Sequence, residues 1–179
     1  MLLILVIGIF AFNYNVLIPV FVKNVLHQEA NTFGILMAAL GLGSVFGALT
    51  ISGKSRSGST MKVMIISSLI IGTLLFLNGF STQYVATIII LVVIGAFSIY
   101  FSTTANTTLQ MNSKDEYRGR VMSVYSLVFA GATPIGSIFA GLAISSVGVS
   151  ETFRLSGALL VFLTVVISLI FIKKASDSF

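Results

Sequence analysis

Apolar residues run almost without interruption through six stretches of this chain, and the polar residues collect in the short segments between them. The stretches are Leu2–Val22, Thr32–Ser52, Val63–Phe80, Tyr84–Leu109, Val121–Val147 and Leu155–Ile172. Each has roughly 20 residues or more, enough to cross about 30 Å of hydrocarbon as an α-helix. Strands of a membrane barrel would alternate apolar and polar residues over about ten positions. The continuous runs here predict helices, whose backbone groups pair within the segment. The fold class is therefore all-α integral membrane, with six spans. Residues 1–80 and 84–172 each hold three spans, so the two halves cross with opposite orientation, the arrangement of an inverted 3+3 repeat. No residue-level repeat is visible between them, and residues 173–179 form a short tail.

Composition sharpens this reading. Of 179 residues, 56% are hydrophobic and 8% are charged, against about 25% charged in a soluble domain. The apolar run after Met1 lacks the basic leader and small-residue cleavage site of a signal peptide, so it is expected to be a retained span. Cysteine is absent, which excludes disulfides and thiol chemistry. The net charge of +5 lies in loops, where it sets topology; nucleic acid is not an expected partner. Lys54, Arg56, Lys62, Lys114, Arg118, Arg120, Lys173 and Lys174 fall on one side, and only Lys23 and Arg154 on the other. That bias predicts cytoplasmic termini in a cell membrane, the bilayer of a bacterium fitting best.

Two spans are rich in small residues. Gly43 and Gly47 form a G-x-x-x-G in the second, with Gly34, Ala38, Ala39 and Gly41 nearby. Ser126, Ala130, Thr133, Ser137 and Gly141 make a stripe along the fifth. Such surfaces let helices approach closely, either as ordinary packing or as a sliding interface between transporter halves. Pro134 removes one backbone bond and should bend the fifth span near Ala130, with Gly131 and Gly136 easing the bend. A static kink and a gating bend both fit. The third and sixth spans are dominated by bulky aliphatics and are expected to face lipid.

Polar side chains at membrane depth point to a substrate path. Asn13 and Asn15 lie near the middle of the first span. Tyr100, Thr103, Thr104 and Thr107 share a face of the fourth by helical spacing. For the threonines, hydroxyls bonding back to their own helix are the plainer alternative. Five charged residues crowd into Lys114–Arg120. Ser113 with Glu116 fits a capping box, and Asp115/Arg118 and Glu116/Arg120 fit helical ion pairs around Gly119. The loop is either a solvated topology signal or an intracellular latch.

Enzyme chemistry finds no support. His27 is the single histidine and sits in a loop. No aspartyl pair, and no histidine or lysine, lies at depth, and Gly53-Lys54-Ser55 lacks the glycine spacing of a phosphate-binding loop. No metal or cofactor is expected.

Three stretches carry a resemblance. They are Asn13–Phe21 (NYNVLIPVF), Phe33–Leu49 (FGILMAALGLGSVFGAL), and Leu109-Gln110 with Arg118–Tyr125 (RGRVMSVY) and Thr133–Gly141 (TPIGSIFAG). The chain resembles the C-terminal half of a major facilitator superfamily transporter, in the exporter branch of macrolide-efflux and siderophore-export proteins. The resemblance implies that the first and fourth spans line a cavity, that the second and fifth face another half, and that the third and sixth are peripheral. It implies efflux of drugs or other small amphipathic molecules by alternating access, with antiport as the expected coupling, together with a six-span N-terminal half in cis or in trans. Two departures matter: the Gly53–Lys62 loop has no acid, and no ionisable coupling residue lies at depth. The alternative is a non-transporting six-span protein with an assembly role.

Overall fold

The computed structural model describes residues 1–52 and 60–176. Among these residues seven α-helices succeed one another: α1 Leu2–Phe10, α2 Tyr14–Asn24, α3 Ala30–Ser52, α4 Thr60–Asn78, α5 Tyr84–Met111, α6 Arg118–Val147 and α7 Val149–Ser176. Among the described residues there is no strand. Among the described residues six spans are long and apolar enough to cross a membrane, with α1 and α2 sharing the first.

Two features differ from the sequence reading. The first span is not one helix: it stops at Phe10 and restarts at Tyr14. The sixth span also starts earlier than expected. The charges of Glu151 and Arg154 suggest a loop, yet α7 begins at Val149 and carries both on its first turns. The connection shrinks to Gly148, whose φ of 84° is a conformation that glycine adopts without steric penalty. Its N–H closes α6 on the Ile144 carbonyl, and its carbonyl accepts from the Thr152 N–H. Glu151, paired with Arg154 at 2.9 Å, also suits the positive end of α7.

The packing has a regular plan. The second span (α3) packs on the fourth (α5), as the fifth (α6) packs on the first (α1). The third (α4) packs on the fourth, as the sixth (α7) packs on the first, and α4 and α7 pack on each other. Exchanging residues 1–80 with 84–172 leaves this set of pairings unchanged. That is the order an inverted repeat produces.

Glycines close the seams. In α3/α5, an added methyl at Gly43 would run into the Val92 carbonyl, one at Gly47 would lie 2.6 Å from the Ala96 oxygen, and one at Gly95 would strike the Leu40 carbonyl. In α1/α6, Gly8 lies against Ala132, and Gly136 lies against Ile9 and Asn13. In α4/α7, Gly72 and Gly157 face each other's backbones. Lipid offers no hydrophobic gain for helix contact, so this close approach and the dispersion it brings drive packing. The third and sixth spans thus turn small residues inward, while Ile66, Leu77, Phe162 and Leu169 stay exposed. Phe21 and Phe153 meet edge to face at 5.3 Å in the core between α2 and α7.

Candidate functional site in the first span

The break in the first span is a local consequence of Asn13. Asparagine amides compete with the backbone for nearby carbonyls. Here the Asn13 Nδ2 donates to the Ile9 carbonyl, four residues back. In an unbroken helix that carbonyl would accept the Asn13 backbone N–H. None of the N–H groups of Phe12, Asn13, Tyr14 and Asn15 makes a backbone bond across the break to a described residue, so four rungs of the ladder are missing. The chain passes through Asn13 at φ −102°, ψ 26° and resumes at α2.

Gly136 of α6 provides the room. A methyl there would lie 2.6 Å and 2.7 Å from the two terminal atoms of the Asn13 amide. Asn13 is 2% exposed, and its Oδ1 finds no partner. The next residue, Tyr14, is buried with its hydroxyl directed toward Ser98 of α5; neither hydroxyl makes a hydrogen bond. The first and fourth spans otherwise barely touch. Phe12 stacks obliquely on Phe129 at 5.4 Å, and Phe129 on Tyr125 at 5.8 Å, so aromatic rings bind the break to α6. One turn on, Pro19 removes another donor, the one that would pair with the Asn15 carbonyl.

The polar residues picked out from the sequence are not gathered into one site. Asn13 faces α6. Asn15 is exposed, Thr104 is buried, and Tyr100, Thr103 and Thr107 are half-buried. Tyr100 donates to Thr50 Oγ1 of α3 at 2.8 Å. Thr108 Oγ1 bonds back to the Thr104 carbonyl at 2.6 Å. Two hollows, of about 340 and 280 Å³, lie elsewhere. One is at the α4–α5 turn beside Phe80 and Gln83, the other among Met1, Met61, Met64 and Leu109.

The glycines divide by face. Gly43 and Gly47 are buried against α5, within this half. Gly34, Gly41, Gly131 and Gly141 have nothing within 4 Å of an added methyl. α6 runs as one helix through Pro134; the interruption lies opposite it, in the first span.

The charged loop is built differently from the capping box the sequence suggested. Ser113 Oγ bonds back to the Leu109 carbonyl, so it closes α5 rather than opening α6. α6 starts at Arg118 with Tyr117 as its N-cap. Asp115 pairs with Arg118 at 2.6 Å, and Arg118 Nε donates to the Gln110 carbonyl at 3.3 Å. Among the described residues Glu116 and Arg120 form no ion pair; the Arg120 guanidinium lies 5.8 Å over the Tyr117 ring. Gln110 and Tyr117 therefore matter here, though neither carries a charge that would mark it in the sequence. At the other end of the bundle, Arg154 stacks 4.4 Å over Phe80. Nearby, buried Asn78 leaves both amide atoms unpartnered. The acid-free Gly53–Lys62 loop mostly falls outside the described residues, as do the last three residues of the tail. No group of three potential metal ligands occurs among the described residues.

Six spans, glycine-closed seams and repeat-related pairing define a polytopic helical protein with half of a major facilitator fold. Residues 1–178 match the family described as transmembrane secretion effector, and the chain belongs to that family. It is 28% identical over 155 residues to the staphyloferrin A transporter of Staphylococcus aureus, covering 87% of this chain and 38% of that protein. It is 25% identical over 126 residues to the multidrug efflux pump Tap of Mycolicibacterium fortuitum, covering 70% of this chain and 31% of that pump. The chain thus spans about a third of the length of the curated relatives it matches. No solved structure gives a significant match.

Proposed function

We propose that this chain forms one half of a secondary active exporter, moving drugs or other small amphipathic molecules across a cell membrane by alternating access. The observation that carries the reading is the pair of unpartnered faces on the second and fifth spans. Gly34, Ala38 and Gly41 on α3, and Ala130, Gly131 and Gly141 on α6, are exposed small residues, whereas Gly8, Gly43, Gly47, Gly72, Gly95, Gly136 and Gly157 are packed against neighbouring helices. Small residues at membrane depth suit close helix contact. A second six-span half seated there, in cis or in trans, would bury both faces. The names of the relatives support this choice of substrate class: one is a staphyloferrin A transporter and one a multidrug efflux pump. Asn13, Asn15, Tyr100, Thr103, Thr104 and Thr107 are the side chains assigned to the shared cavity. The Asp115–Arg118 pair at the α5–α6 loop is assigned to the cytoplasmic side, with both termini, on the count of cations.

Energy-dependent efflux of a fluorescent amphipathic dye tests this. Cells would express the chain joined to, or together with, a six-span N-terminal half of the same family. Efflux should appear with both halves and vanish with either alone. Equal dye retention in all three cases would overturn the reading. Leu in place of Gly41 or Gly141, each with open space around it, should abolish efflux by blocking assembly.

A further inference from the structure

We propose that the first span is a two-state element, exchanging its broken form for a continuous helix, with the Asn13 amide as the exchanging group. The Ile9 carbonyl is the pivot. It accepts from the Asn13 side chain in the broken form. It would accept from the Asn13 backbone N–H in the continuous form, which also restores the N–H groups of Phe12, Tyr14 and Asn15 to the carbonyls of Gly8, Phe10 and Ala11. One residue thus offers the same acceptor two donors, and the two bonds exclude each other. Neither form is saturated. The broken form leaves the N–H groups of Phe12, Asn13, Tyr14 and Asn15 without backbone acceptors, and Asn13 Oδ1 is buried without a partner. Buried polar groups without partners are costly, and more so away from water. The continuous form would repair the backbone but would have to rehouse the Asn13 amide, which now fills the space against Gly136.

The surroundings limit how the exchange can occur. α1 is held to α6 by Gly8 against Ala132, and Phe10 meets Phe139 edge to face at 5.2 Å. α2 is held to α7 through Phe21 and Phe153. α7 also packs on α1 and α6, so restoring the helix re-aims α2 relative to all three, shifts Phe21 on Phe153, and carries Tyr14 past Ser98. Pro19 keeps the ladder weak at the Asn15 carbonyl, so the segment that moves is short. The device does not depend on the transport reading; its role as a gate would.

The chain has no cysteine, so Leu5→Cys and Lys23→Cys, both at exposed positions, give a unique pair of spin labels flanking the break. Their distance is read by pulsed electron resonance on the full chain in lipid nanodiscs. Eighteen residues of unbroken helix span about 27 Å. The native pair should show a main component for the broken form and a minor one near that length. Asn13→Leu removes the amide and should raise the continuous component about fivefold or more, the change expected from losing one hydrogen bond. Gly136→Ala, which takes the amide's space, should shift the distribution the same way. Gly141→Ala, in open space, should leave it unchanged. Distributions for Asn13→Leu and Gly136→Ala that coincide with the native one would overturn the proposal. If Asn13→Leu fails to fold, Gly136→Ala decides alone. The distances report on the helix whether or not any substrate is moved, so a failed efflux assay leaves this result standing.

Discussion

The α3/α5 seam and the α1/α6 seam are built on one plan and behave differently. In each, a glycine on the first or fourth span and a glycine on the second or fifth bring two backbones together. Gly8 and Gly95 hold matching places, and the same step along the chain carries Ile9 onto Ala96 and Asn13 onto Tyr100. Gly47 presses on the Ala96 carbonyl as Gly136 presses on that of Ile9. The fourth span nevertheless runs unbroken for 28 residues, while the first breaks. The difference lies in the residue one turn beyond the pressed carbonyl. Tyr100 cannot reach its own backbone and sends its hydroxyl sideways to Thr50. Asn13 can reach, and takes the carbonyl for its side chain. Glycine contact sets the seam; the residue one turn later decides whether the helix survives it.

Substitutions break or sharpen this contrast in order of size. Gly95→Val should be the most damaging, because the Leu40 carbonyl is backbone and cannot give way. We expect about 3 kcal/mol, the upper end of typical overpacking, read as lost resistance to denaturant in detergent. Gly136→Ala should cost less, about 1–2 kcal/mol, since part of what it meets is a side chain that can leave; a loss equal to that of Gly95→Val would erase the distinction between the seams. Ser44 donates to the Gly95 carbonyl at 3.3 Å as well as to Leu40. Ser44→Ala should therefore cost about 0.6 kcal/mol, typical of interhelical bonds in membranes, and a value near zero would leave glycine contact as the whole of the α3/α5 seam. Smallest of all, Asp115→Asn should cost about 0.3–0.5 kcal/mol and the effect should fade in high salt, because the Asp115 side chain is 89% exposed. A salt-independent loss would mean that the loop is held by more than this pair.

The spans were legible in the sequence because hydropathy is a local property and the bilayer fixes helix length. The seams were half legible. Gly43 and Gly47 announced themselves by spacing, but Gly72 and Gly157 were hidden among the bulky aliphatics of spans that read as lipid-facing. The break was not legible, because Asn13 in an apolar run looks the same whether its amide turns to a neighbouring helix or back onto its own. Two Asn residues flanking Tyr14 were the available signal, given how readily asparagine bonds to local carbonyls. The capping box failed for the same reason: Ser113 matched the pattern, yet its hydroxyl found the Leu109 carbonyl behind it first. Glu151 and Arg154 read as loop because charge suggests water. The helix absorbed them by pairing one with the other and stacking Arg154 on Phe80.

The single-residue turn at Gly148 has a consequence for how this molecule meets its surroundings. At that end of the bundle, α6 and α7 offer no loop, and the neighbouring connections are only the short segments 25–29 and 79–83. A protease needs several residues of extended, accessible chain to cut. That end should therefore resist digestion in intact membranes, and an antibody would find only two five-residue turns there, 25–29, with His27 at φ 50°, and 79–83.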